Sequence, residues 1–141
     1  MGKLKYFGVY FTPILALISF YSTGIYAYAG MIVLYLFIPL LENQIPKDSY
    51  NLNKTEKALA KSDWFYDVVL YLLVPIHLFV IYVFLHTISN PEITNTDLIA
   101  YVLMMGTVLG VNGINGGHEL GHKIGEPFKL FMAHVLLTTS F

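Results

Sequence analysis

Residues 64–87 read WFYDVVLYLLVPIHLFVIYVFLHT. One carboxylate, Asp67, stands near the start and two histidines, His77 and His86, lie further along; nearly everything else is aliphatic or aromatic. At a rise of ~1.5 Å per residue, a helix of this length crosses the ~30 Å hydrocarbon layer of a bilayer. A segment in lipid must satisfy its backbone polar groups internally, and Pro75 is tolerated there, so the stretch predicts a membrane-spanning helix.

Working outward, residues 6–22, 25–41 and 97–117 are also long and apolar enough to span. Only Ser22-Thr23-Gly24 separates the first two, which predicts a tight helical hairpin, because ~36 apolar residues exceed one crossing. Lys3 and Lys5 precede the first stretch, but it is longer than a signal-peptide core and no small-residue cleavage site follows, so it reads as a span. Residues 42–63 are polar; Pro46 breaks the chain, and Asn53 with Glu56 three residues later predicts a short capped surface helix. After a turn at Ser89-Asn90-Pro91-Glu92, Thr96 and Asp97 offer a capping hydroxyl and a carboxylate to the fourth span. Gly125-Glu126-Pro127 is a further break, with Pro127 in the first turn of a fifth apolar helix that runs on to Phe141. The fold class expected is all-α: a polytopic transmembrane helical bundle of four complete spans plus the start of a fifth helix.

Composition agrees. Of 141 residues, 56% are hydrophobic and 12% charged, with a mean hydropathy of +0.62, which leaves too little polar surface for a soluble domain of this size. There is no cysteine, so disulfides, iron–sulfur clusters and thiolate zinc sites are excluded within the chain, and a metal would fall to His, Asp or Glu. The eight basic residues are all lysines and the net charge is -1, which gives no basic patch for nucleic acid. Their placement is asymmetric: Lys3 and Lys5 precede the first span, Lys47, Lys54, Lys57 and Lys61 lie between the second and third, and Lys123 and Lys129 follow the fourth. The positive-inside rule then places the N-terminus and every lysine on the cytoplasmic side. Trp64, Phe65 and Tyr66 read as interfacial anchors.

The chemistry concentrates where the fourth span meets that side. His118-Glu119-Leu120-Gly121-His122-Lys123 puts two histidines at i and i+4 on one helix face, close enough to bind one metal ion or two adjacent ones. At 100° per residue Asn115, His118 and His122 share a narrow arc, flanked by Glu119 and Asn112. Opposite them Gly106, Gly110, Gly113, Gly117 and Gly121 form a stripe of small residues expected to admit a neighbouring helix. Polar residues inside a membrane are costly, which favours function over mere helix contact for this face. His77 follows Pro75 and is expected to bond a carbonyl freed by that proline. His77 and His86 are half a turn out of phase, so they share no face, and His86 falls near the outer interface. His134, seven residues into the fifth helix, is a candidate neighbour of a metal centre.

Asn115-Gly116-Gly117-His118-Glu119-Leu120-Gly121-His122-Lys123 resembles the first histidine box of the membrane-bound alkane monooxygenases, of the fatty acid desaturase/hydroxylase superfamily. The paired spans, the polar segment ending in aromatics, the proline-containing third span and the fourth span running into the box fit the N-terminal half of that family. The resemblance implies a non-haem di-iron enzyme that uses O2 to hydroxylate the terminal carbon of an alkane, with electrons from rubredoxin and rubredoxin reductase. Within it His118 and His122 would ligate two iron ions, and Glu119, Asn112, Asn115 and His134 are candidates for the shell around those ligands. The family carries further histidine boxes downstream of this first one. Residues 1–141 are accordingly read as the N-terminal part of a single integral membrane hydroxylase domain, inactive alone, with its metal site cytoplasmic. Two other readings use the same residues. A membrane zinc metalloprotease would take His118 and His122 as zinc ligands and Glu119 as general base. A transporter or structural subunit would use the polar face as a substrate or contact surface.

Overall fold

The computed structural model describes residues 3–44, 64–122 and 125–140, with residues 3–5 described by backbone alone. The expected Asn53-capped helix, and Lys47, Lys54, Lys57, Lys61 and Lys123, lie outside the described residues. Among the described residues every element is helical, as expected of an all-α bundle. Helix α1 winds as a 3-10 turn over Lys3–Tyr10 and continues as α-helix over Phe11–Phe20. Next come α2, Gly24–Glu42, α3, Trp64–Ile88, and α4, Asn95–Gly121, and then α5, Pro127–Thr138. Helices α2, α3 and α4 are long and apolar enough to cross a membrane; the apolar helix Tyr6–Phe20 is shorter. Pro127 occupies the first turn of α5 as anticipated, and α5 passes into a turn at Thr139 and Ser140; Phe141 lies outside the described residues.

The hairpin between α1 and α2 forms because Gly24 takes φ +62°, a left-handed conformation open to glycine at little cost. Bonds to the start of α4 hold that turn. Gly24 N–H donates to Asp97 Oδ1 at 2.7 Å, Tyr101 donates to the Ser22 carbonyl at 2.6 Å, and Tyr28 to the Thr96 carbonyl at 2.9 Å. The N-cap of α4 is Thr94, not Thr96: its Oγ1 accepts from Asp97 N–H and donates to Asp97 Oδ2. Helix start and carboxylate therefore satisfy each other, and Asp97's remaining oxygen ties down the hairpin.

One core packs α1 and α3 against α4 around Leu15, Phe20, Val80, Val83, Met104 and Val108. Helix α2 reaches it at Gly30, where an added Cβ would come within 2.8 Å of Met104 Sδ and 2.9 Å of Ser19 Oγ. A second cluster, Val74, Leu120, Ala133 and Leu136, joins α3, α4 and α5 at the histidine end. There the glycines act as expected at Gly113 and Gly117: a Cβ on Gly113 would overlap Ser140 and approach His77, and one on Gly117 would meet Leu137 at 2.8 Å. Gly116, outside the anticipated stripe, packs as closely, 3.0 Å from Leu73. Gly106 and Gly110 meet nothing within 4 Å among the described residues, so within these the stripe engages a neighbouring helix only from Gly113 onward. The cause is a π-helical segment, Leu109–Ile114, whose wider turn breaks the 100° phase between residues before and after it.

Candidate functional site

The C-terminal turns of α4 bring His118 and His122 together with Nε2 atoms 3.2 Å apart. Their rings meet edge to face, centroids 4.3 Å apart at 87°, and both side chains are exposed. At this separation either one imidazole donates to the other or both lone pairs converge on a cation. An ion bound at ~2.1 Å from each nitrogen, in tetrahedral or octahedral coordination, sets neighbouring nitrogens ~3.0–3.4 Å apart. The pair therefore fits two corners of a metal site. Among the described residues no group of three or more His, Cys, Asp or Glu converges to complete one.

Beside the pair lies a cavity of about 800 Å³. Asn112, Asn115, Glu119 and His122 contribute from α4, Val69 and Leu73 from α3, and Val9 from α1. Four of the five polar residues placed on one face by the sequence thus line a common space; His118 stands outside that lining. Asn112 is buried and its Nδ2 donates to the Val9 carbonyl at 2.6 Å, while Asn115 and Glu119 are exposed. The π-helical turn directs Asn112 inward, since it carries Asn112 and Gly113 as its buried residues.

The other histidines separate. His77 is fully buried, and its Nε2 sits 3.2 Å from Thr139 Oγ1 at the end of α5; the partner expected, a carbonyl freed by Pro75, is replaced by this hydroxyl. His86 is exposed near the far end of α3 beside Tyr82. His134 is exposed, and its Nδ1–H donates to the Leu130 carbonyl of its own helix at 2.6 Å. Trp64 is exposed, but Phe65 and Tyr66 pack on Phe7 and Tyr6 of α1, so two of the three expected anchors hold the N-terminal helix to α3.

A charged group at the cavity wall went unread in the sequence. Lys129, in the first turn of α5, is 4% exposed and bridges Asp67 Oδ2 at 2.8 Å and Glu126 Oε2 at 2.6 Å. Burial disfavours its charge, yet the hydrogen bonds to Asp67 and Glu126 outweigh that and hold the ammonium above the ordinary lysine range. The available signal was Asp67 itself, a lone carboxylate inside an apolar span, which needs a partner.

No family model matches the chain. Similarity to individual proteins is extensive. Over 128 residues, 89% of this chain, it is 32% identical to alkane 1-monooxygenase 1 of Alcanivorax borkumensis, covering 31% of that protein. Over 144 aligned residues, 97% of this chain, it is 30% identical to alkane 1-monooxygenase of Pseudomonas putida, covering 35% of it. The alkane 1-monooxygenase of Ectopseudomonas oleovorans is 30% identical over 128 residues, 89% of this chain and 31% of that protein. The chain thus spans about one third of the length of the curated relatives it matches, and its likeness to alkane monooxygenases extends well beyond residues 115–123.

Proposed function

We propose that this relative of the alkane 1-monooxygenases forms the N-terminal part of an integral membrane hydroxylase that oxidises the terminal carbon of alkanes. The observation that carries the reading is the imidazole pair, Nε2 atoms 3.2 Å apart, of which His122 lines a cavity walled by both aliphatic and charged side chains. His118 and His122 would hold non-haem iron, with the remaining ligands of a two-iron site supplied by the full-length protein. Iron, when bound, supplies the chemistry that activates O2 with two electrons, for which rubredoxin and rubredoxin reductase are the proposed source. The chain's own contribution is positional. Val9, Val69 and Leu73 line a compartment in which an apolar substrate gains by leaving water. The i, i+4 spacing fixes the imidazoles relative to each other, and neutral imidazole is a suitable iron ligand with positions left open for O2. Glu119, exposed beside the pair, would accept hydrogen bonds that orient the ligands, as would Asn115. His134, whose Nδ1–H is held by the Leu130 carbonyl, keeps its Nε2 for the shell around those ligands. The N-terminus and the histidine end are assigned to the cytoplasmic side of the cell membrane from the lysine distribution.

Metal analysis of the full-length protein, together with octane oxidation under O2 with a rubredoxin-type donor, tests this. Iron and primary octanol are expected. His118→Ala and His122→Ala should each lose iron, whereas Glu119→Gln should keep iron with activity reduced roughly 10- to 100-fold. Stoichiometric zinc without iron, and peptide cleavage that disappears in Glu119→Gln, would overturn the assignment in favour of a peptidase.

A further inference from the structure

Helix α1 buries a proline, Pro13, whose missing donor is made good from another helix. In an α-helix the Val9 carbonyl would accept from the N–H of residue 13; proline has none, and its ring crowds that carbonyl and turns it outward. Upstream of Pro13 the chain winds as a 3-10 helix over the eight residues Lys3–Tyr10, longer than the roughly three or four that this poorer geometry usually sustains. Such a segment needs support from outside. Tyr10 donates to the Val69 carbonyl of α3 at 2.6 Å, and the Val9 carbonyl itself receives Asn112 Nδ2 at 2.6 Å. Asn112 comes from an equally irregular place, the π-helical segment Leu109–Ile114, where it is buried together with Gly113. A Cβ on Gly113 would overlap Ser140, in the turn after α5, and come within 3.1 Å of the His77 ring of α3. The π-turn is therefore gripped at successive residues, by α1 through Asn112 and by α3 and α5 through Gly113.

We propose that Asn112 is a positioning residue: it supplies Val9 with the donor that Pro13 withholds, and the same bond fixes the π-turn that sets the direction of His118 and His122. An i→i+5 turn carries one residue more than an i→i+4 turn. Its loss would rotate the chain beyond it by ~100° against the chain before it, and the chain beyond it carries Asn115, His118 and His122. Asn112 acts through the backbone of α1 and the winding of α4. One bond thus satisfies two irregularities in different helices: a carbonyl displaced by proline and a turn with a surplus residue. The inference goes beyond the function proposed above and uses that reading only where iron is measured.

A double-mutant cycle tests it. Pro13→Ala gives residue 13 an N–H, so it should relieve Val9 of its need for Asn112. The full-length protein in lipid nanodiscs is compared with Asn112→Leu, Pro13→Ala and the double variant by thermal unfolding and, after loading with iron-57, by iron content and Mössbauer spectrum. Asn112→Leu should lower the unfolding midpoint by about 2–4 °C and change the quadrupole splitting with iron still bound. In the Pro13→Ala background the same substitution should cost less than half as much, while the altered spectrum persists, because the π-turn has still lost its hold on α1. Equal losses in the two backgrounds would overturn the pairing of Asn112 with Pro13. An unchanged spectrum in Asn112→Leu would overturn the positioning role and leave the bond merely structural. Should Pro13→Ala fail to fold, a carbon-13 label on the Val9 carbonyl decides: its resonance should move upfield in Asn112→Leu as the hydrogen bond is lost, and an unmoved resonance would overturn the proposal. Absence of iron from the unmodified protein would count against the function proposed above, whereas the unfolding midpoints judge the bond without it.

Discussion

Lys129 is a cation on an otherwise apolar helix, and its side chain retains 6% exposure against 26% for Asp67 and 56% for Glu126. The three groups are therefore unequal in what they lose when the cluster is broken. Asp67→Asn leaves a buried ammonium with a largely solvated carboxylate for company, whereas Lys129→Met leaves a carboxylate that can still reach water. Asp67→Asn is expected to destabilise the contact between α3 and α5 by about 1–3 kcal/mol, below the cost of breaking a fully buried pair, and Lys129→Met by less. Thermal unfolding in detergent checks the order; the reverse order would mean that burial of the ammonium is not what sets the cost. The shift of Lys129 is upward, so its stabilisation is present in full below the ordinary lysine value of ~10.4 and is lost only as pH rises through the higher folded value. The effect of Lys129→Met on stability should accordingly stay constant, as far as the lysine is concerned, from pH 6 to 9.

At the scale of elements, the close contact of α4 with α5 depends on glycines beyond the π-helical segment. Gly117→Ala would put a methyl within 2.8 Å of Leu137 Cγ and 3.3 Å of the Ala133 carbonyl oxygen, a clash expected to cost about 1–3 kcal/mol. Gly110→Ala meets nothing within 4 Å and should be neutral or stabilising by up to ~1 kcal/mol, the helix-propensity difference between the two residues. Unfolding of the two variants side by side decides it, and equal destabilisation would restore an uninterrupted stripe. This is also where sequence reading stopped being sufficient. Spans 25–41, 64–87 and 97–117 were legible because length and hydropathy alone place a segment in lipid, and the hairpin was legible because Gly24 interrupts an apolar run too long for one crossing. The phase of α4 was not, because a π-turn changes the angle per residue without leaving any residue type that announces it. Thr94 was passed over as a cap for a related reason: Thr94 and Thr96 both precede an apolar run, and only the reciprocal bonds with Asp97 distinguish them.

For the whole molecule, what the sequence disclosed divides by contact range. The imidazole pair is a local i, i+4 feature and was readable; the cavity beside it needs Val9 next to Asn112, 103 residues away, and Lys129 next to Asp67, 62 residues away, which no periodicity reports. Orientation in the membrane is a property of the same scale, and the lysine distribution makes it testable. The chain has no cysteine, so single cysteines can be labelled on an otherwise silent background. Lys54→Cys is expected to react with a membrane-impermeant maleimide only when the cytoplasmic face is exposed, and Asn90→Cys only from the opposite face. Thr23→Cys probes the crossing by α1. The apolar helix Tyr6–Phe20 begins in 3-10 geometry, so its 15 residues extend ~25 Å, somewhat less than the ~30 Å hydrocarbon layer. A full crossing puts Thr23 on the side of Asn90, with local thinning of the bilayer or contribution from the flanking residues covering the shortfall. Labelling of Thr23→Cys from the side opposite to Lys54→Cys is expected for a crossing α2; if the N-terminus then labels from the same side as Thr23, α1 enters and returns without crossing, leaving three spans and placing the N-terminus on the side opposite to that of the histidine pair. Reaction of Lys54→Cys from outside would defeat the cytoplasmic assignment of His118 and His122 altogether, because α3 and α4 return the chain to the side on which residue 54 lies.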